Sequence, residues 1–217
     1  MSAPRLEIVV ASRSAKKVEE LLRVAAAAEL EGVRFSSLAD WEASTGRALP
    51  EVVEDAPDFA GNALKKAREV AAQTEGWVLA DDSGLCVDAL DGAPGVYSAR
   101  YSGVEGPGKD AANNARLLEA LAGRPEAERG ARFVCALSLV APDGRSWAVE
   151  GRCEGHISEA PEGSGGFGYD PLFVSHEAGA VGRSHGILSP AEKDQVSHRG
   201  AALRALMPLL AGLLPAA

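Results

Sequence analysis

Asp81, Asp82 and Ser83 follow an apolar run directly, in the stretch VLADDSGLCVD at 78–88. Two carboxylates about 4 Å apart repel by about 4 kcal/mol at an effective dielectric of about 20. A chain that sets them side by side either leaves them in water or bridges them with a cation. Mg²⁺ suits the second arrangement, being a hard, oxygen-seeking ion common wherever phosphate is handled. One carboxylate then holds the metal while its neighbour orients or deprotonates a water, and Gly84 lets a ligand approach the backbone closely. The competing reading is an exposed turn in which Asp and Ser bond their own backbone. These residues alone leave the two readings level.

Two further polar clusters carry chemistry. In SRSAKK, at 12–17, Ser12, Ser14 and Lys17 lie between a buried strand and a helix, where backbone N–H groups favour anions such as phosphate. Alternatively, Ser14 caps the helix and Lys16 and Lys17 are solvated. The third cluster is spread over GGFGYDP and EKDQVSHRG. Phe167 and Tyr169 sit among glycines, with no regular element forcing their rings into a core. A flat ring beside Asp170 can stack on and hydrogen-bond a heterocyclic base, with Lys193, Ser197, His198 and Arg199 at hand. The plainer reading has both rings pinning the loop to the body and His198–Arg199 as a solvated helix start. GSGGFG lacks the GK[ST] ending of a P-loop, SRSAKK lacks the glycines of a dinucleotide fingerprint, and the acidic pair lacks DxDxT spacing.

The elements that must position these clusters are legible as α/β. LEIVVA at 6–11 reads as a buried strand, and KKVEELLRVAAAAEL as a helix through Val18, Leu21, Leu22 and Ala25. VRFSSL at 33–38 is a second strand, 40–57 a loop, and PDFAGNALKKAREVAAQTEG a helix with Asp58 as cap and Gly76 as stop. WVLA is a short strand, 91–108 a long loop, and AANNARLLEAL a helix. ARFVCALSLVAP and SWAVEGRCEGHI, separated by the hairpin signal DGR, add an antiparallel pair. SPAEKDQVSHRGAALRAL opens with Ser189, Pro190 and Glu192 in N-cap, first-turn and capping-box places. No repeat or interdomain linker interrupts residues 1–217, which read as a single domain.

Composition narrows the partners. A net charge of −9 disfavours a general nucleic-acid binder, which carries a basic footprint, while leaving room for an anionic ligand held by local cations. Cys86, Cys135 and Cys153 are odd in number and form no CxxC, so neither a disulfide framework nor a zinc site is expected. A reducing, cytoplasmic setting follows. The apolar run of MSAPRLEIVV is too short for a signal peptide. The C-terminal segment, broken by Arg204, Pro208, Gly212 and Pro215, reads as a core-packing helix rather than a membrane span.

In combination and in this order, five pieces resemble the inosine triphosphate pyrophosphatase family: VVASRSAKKVEEL, FAGNALKKA, LADDSGLCVDALDGAPGVYSARYSG, SGGFGYDPLF and LSPAEKDQVSHRGAAL. Together they extend over about residues 8–205. The resemblance implies an elongated mixed β-sheet flanked by helices, in two lobes with a central substrate cleft, and a homodimer. It implies Mg²⁺-dependent hydrolysis of ITP, dITP and XTP to monophosphate and pyrophosphate. By the same resemblance Asp82 is the general base, and Glu54, Asp81 and Asp82 are metal-associated. Lys17 and Lys66 bind triphosphate, and Ser83 contacts substrate. Phe167, Gly168, Tyr169 and Asp170 form the base-stacking loop, and Lys193, His198 and Arg199 read the purine's 6-oxo edge and hold the ligand.

Two places depart from the family pattern. Ser12-Arg13-Ser14 replaces Thr-Gly-Asn, and Gly61 stands where a Glu is common. Those departures keep a non-catalytic nucleotide sensor in view as an alternative. A pyrophosphatase for pyrimidine or modified nucleotides is the other.

Overall fold

A computed structural model describes residues 6–27 and 32–214. Six strands form one sheet: β1 (Leu6–Val10), β2 (Val33–Ser37), β3 (Trp77–Val87), β4 (Gly130–Val140), β5 (Ser146–Ile157) and β6 (Phe173–Ser175). Their order is β2-β1-β3-β4-β5-β6. β1 pairs parallel with β2 and with β3, whereas β5 and β6 are antiparallel. β4 and β5 are neighbours joined only by residues 141–145. A parallel pair needs a much longer crossover, so this is the expected hairpin. Among the described residues six α-helices accompany the strands: α1 (Ala15–Ala27), α2 (Leu38–Thr45), α3 (Phe59–Thr74), α4 (Lys109–Ala120), α5 (Pro190–Val196) and α6 (His198–Leu213). The fold is thus a mixed sheet flanked by helices.

The chain divides into two compact units. One takes in the residues up to Asp82, Cys135–Gly151 and the chain from Ala202; the other comprises Ser83–Val134 and Arg152–Ala201. In the first unit, strand alternation sorts the core into two layers. Leu6, Ile8 and Val10 of β1 and Leu79 of β3 pack with Val18, Leu21 and Val24 of α1 and Leu203, Leu206 and Leu210 of α6. Val9 and Ala11, with Val78 and Ala80 of β3, pack on the opposite face against Ala67, Val70 and Ala71 of α3. In the second unit a separate core gathers Leu85 and Val87 of β3, Leu117 of α4, Phe133, Cys153, Ile157, Tyr169 and Phe173.

Several local expectations are revised. The stretch 40–57 is not all loop, because α2 runs over Leu38–Thr45. Ser37 and Asp40 form a reciprocal capping box at its start, and Gly46 closes it at φ 69°. β3 does not stop at Ala80 but continues to Val87, so the acidic pair sits within a strand. Asp58 caps α3 as expected, but the left-handed stop is Glu75 rather than Gly76. A six-residue 3-10 segment, Gly95–Arg100, interrupts the long loop.

The segment opening at Ser189 has its capping box, but it is two helices rather than one. Ser197, extended at ψ 153°, ends α5 by donating its N–H to Lys193 O. Its Oγ then accepts the Gly200 N–H at 3.1 Å, capping α6. His198 and Arg199 thereby fall in the first turn of α6. The helix expected through Leu30 is described to Ala27, with 28–30 outside the described residues. The terminal helix packs in the core as expected, and the last three residues of that segment also lie outside. Among the described residues no helix is long and apolar enough to cross a membrane.

Candidate functional site

In the first unit the polar groups extend the two core rows of β3. Asp81 continues the Leu79 row towards α1. Lys17 Nζ of α1 lies 3.2 Å from the Asp81 Oδ2. Asp82 continues the Val78–Ala80 row towards α3, where Asn62 Nδ2 donates to its Oδ2 at 3.0 Å. Consecutive strand residues face opposite ways, so the partners differ. Lys66 is one helical turn beyond Asn62 and on the same face of α3. It donates to the Asp81 carbonyl at 2.8 Å and pairs with the Glu54 carboxylate. Asn62 also accepts the Ala56 N–H at 2.9 Å, which ties the segment carrying Glu54 to α3.

Both aspartates are buried, at 0% and 6% exposure for Asp81 and Asp82, which removes the exposed-turn reading. Burial raises the pKa of Asp82, and the Glu54 charge adds to that rise. The Asn62 hydrogen bond and the charges of Lys17 and Lys66 hold it back. For Lys66 burial works against the charge. The carboxylates of Asp81, Glu54 and Asp82 outweigh it and raise its pKa, so the ammonium stays protonated at neutral pH.

The acids of this cluster, Glu54, Asp81 and Asp82, offer oxygen donors only, the chemistry a hard dication takes. Among the described residues no group of three His, Cys, Asp or Glu is gathered as a metal site. Gly61 explains why no second glutamate belongs here. A Cβ at that place would fall 2.8 Å from Ala56 Cβ and 3.1 Å from Asp58 Oδ1.

Ser12 and Ser14 form the turn into α1. The Ser12 Oγ accepts the Ser14 N–H at 3.3 Å, and Ser14 is exposed. Arg13 is committed elsewhere, to Glu42 of α2 at 2.8 and 3.2 Å and to Leu49 O at 2.6 Å.

In the second unit the glycine-rich loop is built around Asp170. Its Oδ2 accepts from Lys193 Nζ at 2.7 Å and from the Phe167 N–H at 2.7 Å. Position 166 demands glycine twice over. Its φ is 71°, in the left-handed region that side chains avoid, and a Cβ there would collide with that same carboxylate oxygen. Burial opposes ionisation of Asp170, but Lys193, His185 and the Phe167 amide outweigh it and hold its pKa below the ordinary carboxylate range. From α4, Asp110 accepts the Gly168 N–H at 2.9 Å and Asn114 donates to the Gly168 carbonyl at 3.0 Å.

Phe167 is half-buried. Lys193 Nζ lies 4.7 Å and Arg199 Cζ 5.3 Å from its ring centre, both within cation–π reach. Arg199 also donates to Ser83 Oγ at 2.7 Å. His198 is buried and lies flat on Phe133, their centres 4.8 Å apart at 16°. Tyr169 differs from expectation. Its ring is 3% exposed within the second core, and its hydroxyl donates to Ser98 O at 2.9 Å. It anchors the loop and offers no face for stacking. The solvated helix start likewise gives way, since His198 and Arg199 are each 3% exposed.

The structure therefore gathers Lys17, Glu54, Lys66, Asp81 and Asp82 in one cluster, and Ser83, Phe167, Asp170, Lys193 and Arg199 in another. Sequence reasoning did not single out Asn62, although its spacing of four from Lys66 and its place one turn after the Asp58 cap put it on the acidic face. Asp110 and Asn114, also four apart, carry the same kind of signal. Phe133 and His185 gave none.

The comparisons with known proteins come from nearly the full chain. The Ham1 family model matches residues 8–209. A dITP/XTP pyrophosphatase of Corynebacterium efficiens is 48% identical over 96% of this chain and 99% of its own. One of Nocardia farcinica is 50% identical, with 95% of each chain covered. Among solved structures, a HAM1 protein from Coxiella burnetii superposes with a TM-score of 0.80 at 36% identity, over 95% of this chain and 99% of that one. A nucleoside-triphosphatase / dITP/XTP pyrophosphatase from Mycobacterium abscessus gives 0.72 at 48% identity, over 94% and 100%.

Proposed function

Because the chain belongs to the Ham1 family, we propose that it hydrolyses non-canonical purine nucleoside triphosphates, dITP, ITP and XTP, to monophosphate and pyrophosphate. The observation that carries this reading is Asp82: a buried carboxylate, raised in pKa and held by Asn62, with Lys17 and Lys66 charged beside it.

Lys17 and Lys66 neutralise triphosphate charge as it builds. Asp82 takes a proton from the attacking water, whose oxygen bonds to the α phosphorus. The bond from the α phosphorus to the bridging oxygen breaks, and pyrophosphate leaves with its electron pair. A carboxylate whose pKa is pushed upward is a stronger base than an ordinary aspartate, which suits the role. Mg²⁺ would be held by Asp82 and Glu54 on the α3 side, where it would supply Lewis-acid neutralisation of the phosphate oxygens, while Asp81, turned towards α1, pairs with Lys17.

The second cluster supports a purine with an oxygen at position 6. Phe167 offers a ring face for stacking. Lys193 and Arg199 donate hydrogen bonds and cannot accept them, so they favour O6 and leave adenine's amino group unmatched, at a cost of about 1–3 kcal/mol. Asp110 and Asn114 fix the loop through Gly168, and Ser83 fixes Arg199.

The deciding experiment is a pyrophosphate-release panel over ITP, dITP, XTP, ATP, dTTP and UTP, with and without Mg²⁺. Preference for the 6-oxo purines and dependence on Mg²⁺ are expected. A preferred pyrimidine, or ITP binding without pyrophosphate release, overturns the reading.

A further inference from the structure

Asp170 and His198 are supported from one residue that the proposed chemistry does not use. His185 is fully buried. Its Nδ1 faces Asp170 Oδ1 at 3.7 Å and has no closer hydrogen-bond partner among the described residues. Its Nε2 lies 3.7 Å from Cys153 Sγ. Burial pushes the Cys153 thiol up to about 12. The sulfur is therefore protonated at neutral pH. The Asp170 carboxylate can only accept, so the ring atom that faces it, Nδ1, presents a proton towards Asp170.

The neighbouring backbone tightens the same contact. Ser184 Oγ and the Gly186 N–H both donate to the Asp170 carbonyl, at 3.0 and 2.9 Å. The face of the His185 ring lies parallel to Phe133, with centres 6.0 Å apart at 15°, and the Phe133 ring lies parallel to His198. Phe173 meets the edge of the stack, 4.9 Å from His185 at 66°. Offset parallel and edge-on rings at these separations are favourable arrangements that fix one another's planes.

We propose that His185 is a positioning residue for base recognition. Its Nδ1 edge faces the Asp170 carboxylate across 3.7 Å, an electrostatic contact longer than a hydrogen bond, and steadies through Asp170 the ammonium of Lys193, while its ring face sets the plane of His198 by way of Phe133. One side chain thus ties together two groups that read the base. The inference rests on the base-reading role proposed above for Lys193, and on the same role that the family resemblance implies for His198. It adds that His185 tunes selectivity and KM without entering the chemical step.

The test compares His185→Asn, whose amide retains a donor near the Nδ1 position, with His185→Gln, which retains only one near Nε2. Both are measured for kcat and KM on ITP, XTP and ATP beside the wild type, with thermal midpoints recorded. His185→Gln is expected to raise KM for ITP about five- to tenfold and to lower ITP-over-ATP selectivity by a similar factor, with kcat within about twofold. His185→Asn is expected to stay within about twofold of wild type throughout. Equal behaviour of the two variants, whether both unimpaired or both impaired, overturns the proposal, as does a fall in kcat at unchanged selectivity. A wild type that ignores ITP and XTP sinks the proposed function instead, and the two failures are read from different arms.

Discussion

Lys17 Nζ stands 3.2 Å from the carboxylate of Asp81, whose side chain is fully buried while that of Lys17 is 21% exposed. The pair is lopsided: the acid is locked in the sheet, whereas Lys17, in the first turn of α1, keeps part of its side chain open to an incoming anion. Lys66 differs, since it is shared between the Asp81 carbonyl and Glu54. Lys17→Ala should therefore raise KM for ITP about tenfold and lower folding stability by about 1–3 kcal/mol. That loss is less than for breaking a fully enclosed pair, because Lys66 remains nearby. Steady-state kinetics and urea titration measure the two effects, and an unchanged KM removes Lys17 from triphosphate binding.

Asp82→Asn should cut turnover by about 10³-fold or more while leaving KM within a few-fold. The fold should survive, because the amide is nearly isosteric and carries no charge to bury. Stability against pH gives a second readout. The folded-state pKa of Asp82 is raised. Its contribution is thus fully present below the ordinary carboxylate value and lost as pH climbs through the raised one. Asp82→Asn lacks that loss, so its advantage in thermal midpoint over the wild type should grow from acid to neutral pH. A midpoint difference that is flat with pH counts against the buried, raised carboxylate.

Asn62 supplies the hydrogen bond that restrains that rise. Replacing it with alanine removes the donor, so the pKa of Asp82 climbs further and the base is lost to protonation at higher pH. The acidic limb of the kcat/KM profile for ITP should move upward by about one pH unit, the equivalent of about 1.4 kcal/mol. A limb that stays put, or moves to lower pH, shows that a different group governs it.

Part of this was legible in the residues. β1, α1, α3 and the β4–β5 hairpin announce themselves through periodicity and turn signals, and two of the three polar clusters are contiguous in the chain. α2 escaped because its start signal is Ser37 with Asp40 rather than Glu at the third position, within a stretch rich in charge. The acidic pair reads as a turn because Asp, Asp, Ser and Gly are turn formers. Strand pairing and two flanking helices override that propensity and send the two side chains to opposite faces. Tyr169 looks equivalent to Phe167 in the sequence, yet the Ser98 carbonyl, 71 positions away in the chain, takes its hydroxyl. Nor does any spacing relate Phe133 to His185 or His198, since rings brought together from a strand, a loop and a helix leave no periodic trace.

The two aromatic residues of the glycine-rich loop should accordingly separate in experiment. Phe167→Ala removes the half-exposed ring that Lys193 and Arg199 overlie. KM for ITP should then rise about 10- to 100-fold, the span of base stacking on an aromatic ring. Phe167→Trp keeps a ring face and should stay within a few-fold of wild type. Tyr169→Phe deletes only the hydroxyl bonded to Ser98 O, so it should cost about 1 kcal/mol of stability with KM unchanged. Kinetics and thermal unfolding of the three variants decide the matter. If Tyr169→Phe shifts KM as strongly as Phe167→Ala, the hydroxyl is reading the ligand and the division between a stacking ring and an anchoring ring is wrong.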